Sequence, residues 1–186
     1  MRRVMVAGRL ILEDRVAIGR ITMEDGWITG VDIDVEGVAS LPTEPPSDDL
    51  PYLSPGFVDV HVHGGGGFDA MGGAASLGGM ARHLLRRGVT SFLPTAVTSP
   101  LPALVGFAEQ VRAWLPGAPA DGAEPLGFNL EGPFLSNARR GAHDPTYLLA
   151  PADVTTDSLL PLVAGLRLVT IAPELPGAIE LIGWFK

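Results

Sequence analysis

From Gly56 onward short apolar runs alternate with helical stretches, and nothing else in the chain restricts its fold so strongly. Phe57 to His63, Thr90 to Ala96, Pro125 to Leu130 and Arg167 to Ala172 read as strands. Helices are predicted near Ala74 to Arg87 and near Pro102 to Leu115. Strands separated by helices are the rhythm of a parallel α/β sheet. Runs this uniformly apolar are expected where both faces of a sheet are covered, as in a barrel. Four strand candidates are half the eight of a complete (β/α)8 barrel. Half a barrel has two open edges, each a row of unpaired backbone groups over apolar surface.

The residues before Gly56 follow a different pattern. Val4 to Ala7, Val16 to Met23 and Trp27 to Ile33 are short β-type runs, the last two joined by the turn Glu24-Asp25-Gly26, and they predict a small antiparallel β unit. Leu41 to Asp49, rich in proline and acid, reads as an exposed loop. The expected organisation is therefore a β segment over residues 1–55 and an α/β segment over 56–186.

Two imidazoles close the first apolar run. In a strand, side chains two apart share a face, so His61 and His63 project together from the C-terminal end of Phe57 to His63. Gly64 to Gly67 then let the backbone turn sharply beside them. The pair is half of a metal site or a pair of histidines lining a packed interior. Glu131 stands at the end of another apolar run, which a parallel sheet would bring to the same face. It completes an N,N,O donor set or serves as a loop acid ahead of Gly132-Pro133. The chain has no cysteine, so disulfides, thiolate nucleophiles and sulfur ligands are excluded, and any metal must sit among nitrogen and oxygen donors. A net charge of −8 argues against general nucleic-acid binding. With no apolar stretch long enough to span a bilayer and no basic-then-apolar leader, no membrane partner is expected and a cytoplasmic location is.

The run Pro55-Gly56-Phe57-Val58-Asp59-Val60-His61-Val62-His63-Gly64 resembles the first-strand signature of the amidohydrolase superfamily. Leu130-Glu131-Gly132-Pro133-Phe134-Leu135, then Gly141-Ala142-His143 and Thr170-Ile171-Ala172-Pro173-Glu174, resemble the N-acetylglucosamine-6-phosphate deacetylase family in particular. The resemblance implies a β-sandwich packed on a metal-dependent (β/α)8 barrel that hydrolyses the acetamide of an amino-sugar phosphate, releasing glucosamine 6-phosphate and acetate. It implies Glu131 as a metal ligand, His61 and His63 as holders of a second ion, and a dinuclear site. Zinc is the first expectation, with iron or manganese as alternatives. The only lysine is Lys186, so no barrel strand carries the carboxylated lysine that bridges metals in many related amidohydrolases, and Glu131 is the available bridge. His143, with the Ala142 backbone beside it, resembles the family's substrate-contacting histidine. Arg139 and Arg140 are either phosphate-attracting or surface arginines. A homodimer is the family's usual state at full length.

The family's remaining metal histidines and its acid/base aspartate come from later strands, so the 186 residues alone are expected to be an inactive N-terminal part. A non-catalytic short protein that binds sugar phosphate or completes a partner chain is the other reading. Serine hydrolysis is a third, since His63-Gly64-Gly65-Gly66 mimics an oxyanion loop and Ala74-Ala75-Ser76-Leu77-Gly78 a nucleophile elbow. Asp59 is expected to share the histidines' face, His83 to lie on a solvated helix face, and Trp27, Trp114 and Trp184 to be packing residues.

Overall fold

The computed structural model describes residues 2–33 and 50–186. The proline- and acid-rich stretch from Leu41 to Asp49 lies outside them. The chain divides into two compact units, Met1–Pro55 and Gly56–Lys186.

In the first unit, β1 (Arg3–Ile11) and β2 (Val16–Glu24) form an antiparallel pair running from Arg3 opposite Glu24 to Ile11 opposite Val16. Asp25 and Gly26 both have positive φ, 49° and 90°. A two-residue turn with that backbone matches the twist of a hairpin and returns the chain as β3 (Trp27–Ile33). A short β4 (Tyr52–Leu53) runs parallel to β1, giving the order β3-β2-β1-β4. Leu10 and Ala17 are buried. Trp27, expected to pack, is 78% exposed, because it opens the edge strand β3 directly after the turn.

The second unit is an α/β layer. Its elements are β5 (Phe57–Val62), a small hairpin of β6 (Gly64–Gly65) and β7 (Phe68–Asp69), α1 (Gly73–Leu85), β8 (Val89–Val97) and α2 (Leu101–Trp114). They continue with β9 (Glu124–Pro125), β10 (Phe128–Glu131), α3 (Thr156–Val163), β11 (Leu166–Thr170) and α4 (Ala178–Phe185). The main strands are all parallel, in the order β11-β10-β8-β5, with β9 beside β8. The run expected over Pro125 to Leu130 is thus split in two. Gly127, at φ 131° with no room for a Cβ against the Gly165 carbonyl, separates the pieces.

Helical periodicity builds the core. Leu77, Met80, Ala81 and Leu84 form the buried stripe of α1, and Leu104, Phe107, Ala108, Val111 and Trp114 that of α2. They meet Phe92 and Ala96 of β8 and Phe128 and Leu130 of β10, every one of them close to fully buried. Phe107 and Phe128 pack edge to face at 5.7 Å. Each large side chain buried here contributes roughly 1.5–3 kcal/mol. Pro102 in the first turn of α2 supplies a preset φ where no N–H bond is lost. Thr155 caps α3 by accepting from the Ser158 amide. Among the described residues no helix is long and apolar enough to cross a membrane.

The expectation that every strand is covered on both faces holds only for the inner strands. Residues 92–96 of β8 and 128–130 of β10 are buried, whereas Phe57 and Val58 of the edge strand β5 are 66% and 58% exposed. Leu168 of β11, the opposite edge, is also exposed.

Candidate metal centre

Alternation along the strands sends one set of side chains into the helix-covered core and the other set to the opposite face. On β10, Phe128 and Leu130 enter the core while Asn129 and Glu131 take the other side. Because the sheet is parallel, Glu131 ends its strand at the same edge of the sheet where His61 lies at the end of β5 and His63 follows it. The three donor atoms lie within 4.8 Å of one another. His63 Nε2 is 2.9 Å and His61 Nε2 3.2 Å from the same oxygen, Glu131 Oε2, and the two Nε2 atoms are 3.1 Å apart. His143, reached through the long loop after β10, brings its Nε2 to 3.3 Å from that oxygen.

The backbone decides how each imidazole can act. His63 Nδ1 faces the Thr95 carbonyl at 3.1 Å, which only an Nδ1–H can satisfy, so in the neutral ring its Nε2 carries the lone pair and is the atom that can ligate. His143 Nδ1 instead accepts from the Thr98 amide at 3.3 Å, so in the neutral ring the proton sits on Nε2 and that atom is a donor. His61 is fixed from its own backbone, whose N–H donates to Asp59 Oδ1 at 3.1 Å. Asp59 therefore holds the His61 main chain rather than an imidazole, because the register of β5 shifts between Asp59 and Val62.

Burial, the largest influence on the Glu131 carboxyl, opposes its ionisation. His143, then His61 and His63, together outweigh burial, and the carboxyl titrates below its ordinary value. An ionised carboxylate beside two imidazoles, one fixed as a lone-pair donor, is a nitrogen and oxygen set suited to zinc, iron or manganese. The residues fit a divalent metal.

The site opens into a cavity of about 790 Å3 lined by His63, Glu131, Arg139, Arg140, Ala142 and His143 among others. Ala142 is exposed at its wall. Arg140 is oriented by its own loop, donating to the Asn137 carbonyl and side chain at 3.0 and 2.9 Å.

Other candidates stand elsewhere. Ser76 lies inside α1, where its hydroxyl donates to the Asp69 carbonyl at 2.7 Å and accepts the Asp69 amide at 2.8 Å. It latches the β6–β7 hairpin and is no strand-to-helix elbow, which removes the serine hydrolase reading. His83 is not on a purely solvated face: its ring packs on Gly65 and Gly66, where added Cβ atoms would meet it. Trp114 is buried in the core and Trp184 packs against it.

Three polar residues around the site escape a reading of the sequence: Thr95, Thr98 and Asn129. Thr98 donates from its hydroxyl to the Glu131 carbonyl at 3.1 Å as well as from its amide to His143. Asn129 is fully buried and donates to the Val60 carbonyl at 3.0 Å, while its Oδ1 has no partner. Such an orphaned acceptor costs about 1–3 kcal/mol. A polar residue inside an otherwise apolar strand was the available signal.

The chain matches no family model. It is 34% identical over 175 residues to the N-acetylgalactosamine-6-phosphate deacetylase of Escherichia coli O157:H7, covering 90% of this chain and 46% of that protein. It is 43% identical over 138 residues to the N-acetylglucosamine-6-phosphate deacetylase of Bos taurus, covering 70% of this chain and 33% of the relative. Among solved structures, the N-acetylglucosamine-6-phosphate deacetylase of Thermotoga maritima superposes with a TM-score of 0.79 at 26% identity, over 97% of this chain and 45% of that one. The corresponding Mycobacterium smegmatis enzyme, a D267A mutant in complex with N-acetyl-D-glucosamine-6-phosphate, superposes with a TM-score of 0.68 at 27% identity, over 97% of this chain and 46% of that one. The chain thus matches the N-terminal part of N-acetylglucosamine-6-phosphate deacetylases and spans less than half the length of these relatives.

Proposed function

We infer that this chain is part of a metal-dependent deacetylase that hydrolyses the acetamide of N-acetylglucosamine 6-phosphate to glucosamine 6-phosphate and acetate. The observation that carries this reading is the convergence of His61, His63 and Glu131 at the C-terminal ends of parallel strands, beside a cavity large enough for a sugar phosphate. The names of the relatives supply the substrate class.

Bound there, a divalent metal would supply Lewis-acid activation of water and of the amide carbonyl. His61 and His63 through Nε2 and Glu131 through its carboxylate would hold it, with room in the reading for a second ion beside the same carboxylate. His143, whose Nε2–H faces Glu131 Oε2 at 3.3 Å and whose ring lines the cavity, would donate to a substrate oxygen bound there. Arg139 and Arg140 put positive charge on the cavity wall, suited to the 6-phosphate. In the reaction water oxygen adds to the acetyl carbon, the C–N bond breaks and the amine nitrogen takes a proton. The acid/base group that delivers it belongs, on this reading, to another part of the full-length enzyme, and the 186 residues alone are expected to be inactive. On this reading residues 1–55 belong to a β-sandwich, residues 56–186 form the first four β/α units of a (β/α)8 barrel, and the full-length enzyme is a cytoplasmic homodimer.

The test is acetate release from N-acetylglucosamine 6-phosphate by the full-length protein, before and after chelation and with zinc restored. Chelator-sensitive release supports the reading. Undiminished release after complete metal removal, or none from metal-loaded protein, overturns it.

A further inference from the structure

The strand that presents the histidines is irregular where they sit. Asp59 pairs with Phe92 and Val62 with Pro94, so β5 advances three residues while β8 advances two. That is one extra residue in β5, a bulge that takes Val60 and His61 out of the ladder. Leu93 lies opposite those two residues, and Pro94, which pairs with Val62, has no N–H to offer.

Two side chains, one from the adjacent strand β8 and one from β10 beyond it, take over the missing bonds. Thr95 Oγ1 accepts the Val62 amide at 3.0 Å and donates to the Leu93 carbonyl at 3.1 Å, bridging β5 and β8 where the register slips. Asn129 Nδ2 donates to the Val60 carbonyl at 3.0 Å. Both residues are fully buried. The groups they hold, the Val60 carbonyl and the Val62 amide, flank His61 on either side and lead directly to His63. Asn129 does this at a cost, since its Oδ1 is left without a partner. Turning the amide over would set Oδ1 against the Val60 carbonyl, so the donor is what this position supplies. An apolar residue of similar size would avoid the unpaired acceptor but abandon the Val60 carbonyl.

We propose that Thr95 and Asn129 are positioning residues of the metal centre: they clamp the bulge in β5 and so fix the approach of His61 and His63 to Glu131. This rests on the metal-centre reading above, yet it makes a claim about the metal-free protein too. The clamp keeps His63 against the Thr95 carbonyl, and so keeps a hydrogen-bonded proton on Nδ1.

Thr95→Val, Thr95→Ser and Asn129→Leu in the full chain test it, with two readouts. The first is Co2+ titration of the metal-depleted protein followed by visible absorption. The second is the hydrogen bond from His63 Nδ1–H to the Thr95 carbonyl in the metal-free protein, followed through the imidazole proton by NMR. Thr95→Val and Asn129→Leu are expected to weaken Co2+ binding roughly 10–100-fold with an altered spectrum, and to expose that imidazole proton to exchange with solvent. Thr95→Ser, which keeps the hydroxyl, restores both. Leu104→Ala, a change in the helix-side core, lowers thermal stability and moves neither. If Thr95→Val does not fold, Asn129→Leu carries the test, because it also removes an unpaired buried acceptor. Wild-type affinity and a wild-type Nδ1–H bond in both variants would overturn the proposal. A wild-type protein that takes up no Co2+, but whose His63 Nδ1–H bond is lost in the variants, would sink the metal reading and leave the clamp standing.

Discussion

His63 and His143 bring Nε2 to the same oxygen of Glu131, at 2.9 and 3.3 Å, yet the backbone sets them in opposite tautomers. A carbonyl faces Nδ1 of His63 and an amide N–H faces Nδ1 of His143. One ring therefore offers a lone pair to the centre and the other a proton.

That asymmetry separates two substitutions that otherwise look equivalent. His63→Ala is expected to lose metal binding by at least 100-fold, since it deletes a ligand outright. His143→Ala is expected to keep metal stoichiometry while lowering turnover roughly 100-fold or more. Metal content of the two purified variants, measured beside acetate release, decides it. Equal metal loss in both would mean that His143 is a ligand and that its Thr98 contact does not set its tautomer.

The Glu131 carboxyl should leave a mark on stability against pH. Folding holds it below the ordinary glutamate value of 4.5, so between the two values the unfolded chain binds more protons than the folded one. The stabilisation is complete above about 4.5 and fades as pH falls through the depressed value. Glu131→Gln removes this contribution. Unfolding followed against pH with chelator present should show a shallower acid limb in the variant, and parallel limbs would show that the imidazoles do not lower the carboxyl.

Which parts of this arrangement could be read from the sequence follows from the range over which each is determined. Strand and helix alternation is local, so a parallel sheet built from four apolar runs could be anticipated, and the structure orders it β11-β10-β8-β5. His61 lies at the end of β5 and His63 one residue past it, and Glu131 ends another strand, so a parallel sheet was enough to bring them to one edge. The roles of Thr95 and Asn129 were illegible because they exist only through the bulge in β5, a mismatch between strands that neither strand carries alone. The helix α3, Thr156–Val163, was missed because it is short and contains Pro161. Trp27 misled because aromatic character says nothing about whether a strand lies at an edge.

Gly132 should tolerate no side chain. Its φ is 89°, a conformation that costs a non-glycine residue about 1–3 kcal/mol, and a Cβ there would collide with the Thr98 hydroxyl. Thr98 is also what holds His143 through its amide and Glu131 through its hydroxyl. Gly132→Ala is therefore expected to lower stability and, in whatever protein still folds, to reduce turnover with little change in metal content. Thermal melts and metal analysis check this. A variant as active as the parent would mean that Thr98 can move without disturbing His143.

The edges of the α/β unit predict how the 186 residues behave when prepared alone. Among the described residues β5 and β11 have no outer neighbour, and β5 exposes Phe57, Val58 and Val60 along such an edge. Unpaired backbone beside apolar side chains is a template for strand pairing with another chain. The 186-residue chain is expected to self-associate with rising concentration, and Val58→Lys, which places a charge on that edge away from the site, to reduce the association. Light scattering across a concentration series on both proteins measures it. A parent that stays monomeric throughout would show that the β5 edge is covered by something other than a partner chain, and would revive the reading of a self-sufficient short protein.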